Sequence, residues 1–103
     1  MLQKEPFTEE GQSRLHAIVV GRVQGVSFRY FVVELAESLN LSGWVRNMWN
    51  GSVEVTAEGS NPNLETLLQA LREGPPMASV DDVCFEWQPY TGEFKDFQVR
   101  NTV

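Results

Sequence analysis

The run Gly21-Arg22-Val23-Gln24-Gly25-Val26-Ser27-Phe28-Arg29 carries two glycines and two arginines and no acidic residue. It lies between a short apolar run, Leu15 to Val20, and a segment of helical periodicity, so it reads as a turn delivering the chain into a helix N-terminus. The first N–H groups of a helix have no partner within it, and together with the helix dipole they favour an anion. Arg29, in the first turn, adds a guanidinium that can grip two oxygens of a phosphoryl group at once. A lone arginine at a helix start is more often a solvated surface charge, so the whole loop, rather than Arg29 by itself, carries this reading. A thiol-based phosphatase would need cysteine six positions before the arginine, and position 23 is valine. Cys84 is far along the chain and the single histidine, His16, falls in or near the first strand, so no thiol and imidazole pair is suggested.

The elements that must position this loop follow from periodicity. Leu15 to Val20 reads as a buried strand bounded by Gly21. Phe28, Phe31, Val32, Leu35, Ala36 and Leu39 recur at helical spacing, with Ser27 as the expected N-cap. Trp44 to Asn47 reads as a second strand, and Asn50-Gly51 as a hairpin turn into a third, antiparallel strand. In that strand Val53, Val55 and Ala57 alternate with Glu54, Thr56 and Glu58, which predicts one buried face and one wet face. Asn61-Pro62 opens a second helix with Leu64, Leu67, Leu68 and Leu71 as its apolar stripe, stopped by Gly74-Pro75-Pro76. Val83, Phe85 and Trp87 mark a fourth strand, and Phe97 to Val99 a short piece beyond a turn at Gly92. The order strand, helix, strand, strand, helix, strand defines an α+β class: a ferredoxin-like split βαβ sandwich, an antiparallel sheet with two helices on one face. This arrangement hosts enzymes, metal carriers, RNA binders and sensors, so function must be read from the loops.

Composition narrows the field. The 103 residues, 42% hydrophobic, suffice for one domain and one core. We read residues 1–14 as a flexible tail and residues 15–103 as the folded domain. A formal net charge of −6 repels polyanions, so neither duplex nucleic acid nor an anionic membrane is an expected partner. The third strand has no aromatic residue to stack a base, as an RNA-binding module on this fold would. One cysteine excludes an intramolecular disulfide and a Cys-x-x-Cys metal site, and fits a cytoplasmic, reducing setting. The acidic residues of the second half lack the ligand spacing of a calcium loop and read as solvated surface. No apolar run in the first residues is long enough for a signal peptide or a span.

The run Gly21 to Arg29, followed by Gly43-Trp44-Val45-Arg46-Asn47, resembles the two signature motifs of the acylphosphatase family, in the same order and spacing. The similarity extends from about Leu15 through Arg100, including the Asn-Gly turn, Gly59 and Phe97-Gln98-Val99-Arg100. Asn40 departs from the glycine that the family often has before the second strand, and asparagine tolerates the left-handed backbone such a position demands. The resemblance implies metal-independent hydrolysis of acyl phosphates, without a cofactor; a stand-alone monomer is the simplest reading of the chain. It assigns phosphate binding to Arg29 and to the loop residues Gln24, Gly25, Val26, Ser27 and Phe28, and the orientation of the attacking water to Asn47. A lone Asn before a hairpin is usually a turn residue, and only its place in the second motif gives it this role. For Gln24 a side-chain contact with substrate and a hydrogen bond that stabilises the loop stand side by side. Arg22 and Arg46 add positive potential or are strand-end charges, and neither is assigned catalysis. The alternatives are a noncatalytic or specialised module of the same family, an RNA-binding module and a metal carrier.

Overall fold

A computed structural model of the chain describes residues 11–103. The elements are β1 (Gln12–Arg22), α1 (Phe28–Ser38), β2 (Ser42–Asn47), β3 (Val53–Ser60), α2 (Asn61–Glu73), β4 (Ser79–Pro89) and β5 (Phe97–Val99). They form a five-stranded sheet in the order β4-β1-β3-β2-β5. The first four strands pair antiparallel, as the ferredoxin-like pattern requires. β5 adds to the edge of β2 in parallel, so the sheet is mixed rather than wholly antiparallel.

Alternation fixes which residues face the helices. Leu15, Ala17 and Val19 of β1 lie opposite Ala57, Val55 and Val53 of β3, and all six are fully buried. Val45 of β2 continues the same layer. Phe28, Val32 and Ala36 of α1 and Leu64, Leu67 and Leu71 of α2 close over it, so both helices cover one face and share one core.

The structure revises several expectations. β1 begins at Gln12, because Gln12, Ser13 and Arg14 pair with Ser60, Gly59 and Glu58; these residues belong to the sheet and not to a tail. Residues 1–10 of the proposed tail lie outside the described residues. α2 starts one residue earlier than read, with Ser60 at the cap position, Asn61 as its first residue and Pro62 in the first turn. The wet face of β3 is covered: Glu54, Thr56 and Glu58 are 9%, 4% and 1% exposed. β3 is the central strand, and long side chains from β1 and β2, together with Thr91 and the Gly92 backbone after β4, reach over it. Glu54 accepts from Arg46 Nε at 2.8 Å and pairs with His16 at 2.7 Å, while Glu58 accepts from Arg14 Nε at 2.8 Å. Conversely, Phe85 on the edge strand β4 remains 40% exposed, with the Arg72 guanidinium 5.4 Å from its ring centre.

β1 hands over to the loop at an irregularity. Its register against β4 shifts between Val20 and Gly21. Gly21 has φ +136°, and a Cβ there would stand 2.3 Å from the Ser79 carbonyl oxygen. Only glycine lets the two backbones run this close.

Candidate active site

The loop from Val23 to Ser27 is shaped by two left-handed residues. Gly25 has φ +73° and Ser27 has φ 64°. A left-handed serine is uncommon and strained, a condition that recurs at functional sites. Ser27 occupies the cap position of α1 as expected, but its left-handed backbone does not bring Oγ onto an N–H, and it makes no side-chain capping bond. The backbone N–H groups of Gln24 through Phe28 find no acceptor among the described residues. A Cβ placed at Gly25 would meet nothing within 4 Å, so the loop faces open space there.

That space is a cleft of about 480 Å³. Of the residues expected to act, Gly25, Ser27, Phe28, Arg29 and Asn47 all line it, so the two sequence motifs converge. Gln24 and Val26 do not line it; Val26 packs against the core. Arg29 is the only charged residue in the lining and makes no ion pair among the described residues. A cation beside a row of N–H groups, none of them partnered among the described residues, can receive an anion.

Register explains how Asn47 comes to the loop. It pairs with Val53 of β3, which pairs with Val19 of β1, so Asn47 stands level with Val19, three residues before β1 ends at Arg22, roughly 10 Å away across two strand spacings. It shares the helix-facing side of β2 with Val45, which turns its side chain toward the start of α1. Its backbone is held from the other edge too, where its carbonyl accepts from Val103 N at 3.3 Å. The side-chain Oδ1 is buried and has no hydrogen-bond partner among the described residues. An unmatched buried acceptor costs about 1–3 kcal/mol, and a donor such as a water O–H relieves it.

Of the two readings of Gln24, the hydrogen bond that stabilises the loop is present in the structure. Gln24 Nε2 donates to the carbonyls of Met48 and Ser52, both at 2.8 Å. The same two carbonyls accept from Gly51 N and Met48 N within the hairpin, and Asn50 Oδ1 accepts from Ser52 N and Oγ. The side chain therefore ties the loop to the β2–β3 connection next to Asn47. If Asn47 orients the attacking water, as the resemblance implies, Gln24→Ala is expected to lower kcat about tenfold with a smaller change in KM, because the side-chain tether is lost while the backbone amides of the loop remain. Steady-state kinetics on the folded variant checks this; an unchanged kcat would show that the tether does not position Asn47.

Arg46 is drawn away from the cleft, bonded to Glu54 and stacked 4.5 Å over Trp44 on the opposite face, and Arg22 does not line the cleft. The sequence reading missed Tyr30 and Val99. Both line the cleft and stand 65% and 51% exposed. An aromatic residue beside Arg29 but off the apolar stripe of α1 was the available signal for Tyr30. Val99 shows none, since only the β2–β5 pairing, Val45 opposite Val99, brings it there. Among the described residues no three His, Cys, Asp or Glu side chains cluster as metal ligands, and no helix is long and apolar enough to cross a membrane.

A split βαβ sandwich with an anion-binding loop before α1 and an Asn at the end of β2 defines a class, and comparison with known proteins gives the family. The acylphosphatase family model matches residues 15–99, and this chain belongs to that family. It is 43% identical over 88 residues to an acylphosphatase of Pelotomaculum thermopropionicum, covering 85% of this chain and 96% of that one. Over 89 residues it is 45% identical to an acylphosphatase of Anaeromyxobacter, covering 86% and 96%. Among solved structures, an acylphosphatase from Coxiella burnetii superposes with a TM-score of 0.83 at 40% identity, covering 91% of this chain and all (100%) of that one.

Proposed function

We propose that this chain hydrolyses acyl phosphates to a carboxylate and inorganic phosphate by direct attack of water, with Arg29 and the loop amides of Gln24 to Phe28 holding the phosphoryl group and Asn47 orienting the water. The observation that carries this reading is the meeting, in one cleft, of the Arg29 guanidinium and the Asn47 amide oxygen beside the loop amides, none of which has a partner among the described residues.

The chemistry needs few groups. The departing carboxylate is stable without a proton at neutral pH, its conjugate acid having a pKa of about 4, so no strong general acid is required. What remains is to place water in line with the bond that breaks and to match charge on the phosphoryl oxygens. Asn47 is no base near neutral pH, but its amide oxygen accepts from water and so aims it. The proton then passes to the substrate phosphate. The acidic surface and the absence of an aromatic residue from β3 support a small-molecule substrate over a nucleic acid. The lone, free Cys84 supports a cytoplasmic setting, and we take the protein as a monomer.

The test is hydrolysis of benzoyl phosphate in the presence of EDTA by the parent and by Asn47→Ala. Turnover is expected to survive the chelator and to fall about 10²-fold or more in the variant, with circular dichroism unchanged. A folded parent protein that binds phosphate but does not turn over would make the chain a binding module. A folded Asn47→Ala with full activity would remove Asn47 from the mechanism.

A further inference from the structure

The cleft is several times larger than a phosphoryl group, and apart from Arg29, Ser27 and Asn47 the side chains that line it are those of Val23, Phe28, Tyr30 and Val99. Among the lining residues, Val23 and Phe28 are 1% and 2% exposed and offer little surface. Tyr30 and Val99 are the large apolar side chains that line the cleft and stay open to solvent. They come from different elements, the first turn of α1 and the end of β5, yet border the same space. Apolar surface left exposed at a binding site usually marks what the ligand covers.

We propose that Tyr30 and Val99 form a shelf for the acyl part of the substrate, selecting acyl phosphates whose acyl group is uncharged and apolar, an aromatic ring above all. The inference rests on the hydrolase reading above and adds specificity to it. Two observations support the choice of occupant. The shelf is continuous with the phosphate site, so whatever is bonded to a phosphoryl group held at Arg29 must lie in the rest of the cleft. Arg29 is also the only charge in the lining, so an acyl group with its own carboxylate meets no second cation, on a protein whose net charge is −6. A flat ring gains by covering Tyr30 and Val99, whereas an acetyl group is too small to cover both.

The experiment compares kcat/KM for benzoyl phosphate and acetyl phosphate in the parent, Tyr30→Ser, Val99→Ser and Tyr30→Phe. The intrinsic difference in reactivity between the two substrates cancels when each variant's ratio is divided by the parent's. The benzoyl-to-acetyl ratio is expected to fall about fivefold or more in each serine variant, mostly through the KM of benzoyl phosphate, since the contact is made in ground state and transition state alike. Tyr30→Phe keeps the ratio, because the ring and not the hydroxyl makes the shelf. Tyr90→Ser, an exposed aromatic residue just beyond the far end of β4, serves as the control for unspecific effects. A ratio unmoved in both serine variants overturns the shelf while leaving the hydrolase reading intact, and so does a Tyr30→Phe that falls as far as Tyr30→Ser. A folded parent that turns over neither substrate overturns the hydrolase reading, and the shelf with it.

Discussion

Arg29→Gln is expected to lower kcat/KM for an acyl phosphate by about 10³-fold or more while leaving the unfolding free energy within about 0.5 kcal/mol of the parent. The two halves of this expectation share one cause. The guanidinium makes no ion pair among the described residues, so the folded protein loses no partnered contact when it goes. The same lack of a partner leaves its donors free for the phosphoryl oxygens, where charge must be matched as the bond breaks. Arg29→Lys keeps the charge but not the planar fork, and an ammonium at the shorter reach of lysine grips one oxygen at a time. It is expected to fall between parent and Arg29→Gln, at about 10²-fold below the parent. Inorganic phosphate supplies a second readout, for its inhibition of the parent should weaken strongly in Arg29→Gln. Activity near the parent's in a folded Arg29→Gln would mean that the loop amides hold the phosphoryl group without it.

What the sequence makes legible here depends on how far apart in the chain the interacting groups lie. The loop from Gly21 to Arg29 is contiguous, and both its glycines and the helix it enters could be read from local pattern. The core faces of β1 and β3 were legible for the same reason, since alternation states which residues point together. Alternation does not state what covers the other side. Glu54, Thr56 and Glu58 look like a wet face until Arg14, His16 and Arg46 arrive from neighbouring strands. Gln24 shows the same limit. Its partners, Met48 and Ser52, lie 24 and 28 residues away, and nothing local distinguishes a tether from a substrate contact. Ser27 was placed correctly at the helix start, yet its left-handed backbone is dictated by the loop it closes and withholds the capping bond that serine usually makes.

The largest expected effect on stability belongs to a residue far from the cleft. Glu58→Ala is expected to lower the unfolding free energy at pH 7 by about 3 kcal/mol. Its carboxylate is fully buried, and its Oε2 accepts from Arg14 Nε at 2.8 Å and Thr91 N at 2.9 Å, while Oε1 accepts from Gly92 N at 2.9 Å. The Thr91 hydroxyl stands 2.9 Å from both Glu58 and Glu93, and with one proton it donates to one of them at a time. Removing the carboxylate strands two backbone donors and Arg14 Nε, whose guanidinium keeps only its Nη2 contacts with Glu93 and the Thr91 hydroxyl, and this is the costly way to break such a network. The consequence reaches beyond β4, because Thr91 and Gly92 begin the crossing to β5, whose Val99 lines the cleft.

The pH dependence follows from the same geometry. Burial by itself raises the pKa of Glu58, but the hydrogen bonds from Thr91, Arg14 and Gly92 outweigh it and hold the carboxyl below the usual carboxylate range. A depressed folded pKa means that the stabilisation is present above the unfolded value of about 4.3 and is lost as pH falls through the folded one. The gap between parent and Glu58→Ala in urea unfolding should therefore be widest near neutrality and narrow steadily on acidification below about pH 4. Glu54 and Glu93 are also held low, so the parent itself weakens in acid, and it is the difference between parent and variant that isolates Glu58. A gap that stays constant from neutral to acid pH would show that Glu58 acts through its bulk rather than its charge. Equal stabilities at pH 7 would mean that Arg14 and the two amides find water when the carboxylate is gone.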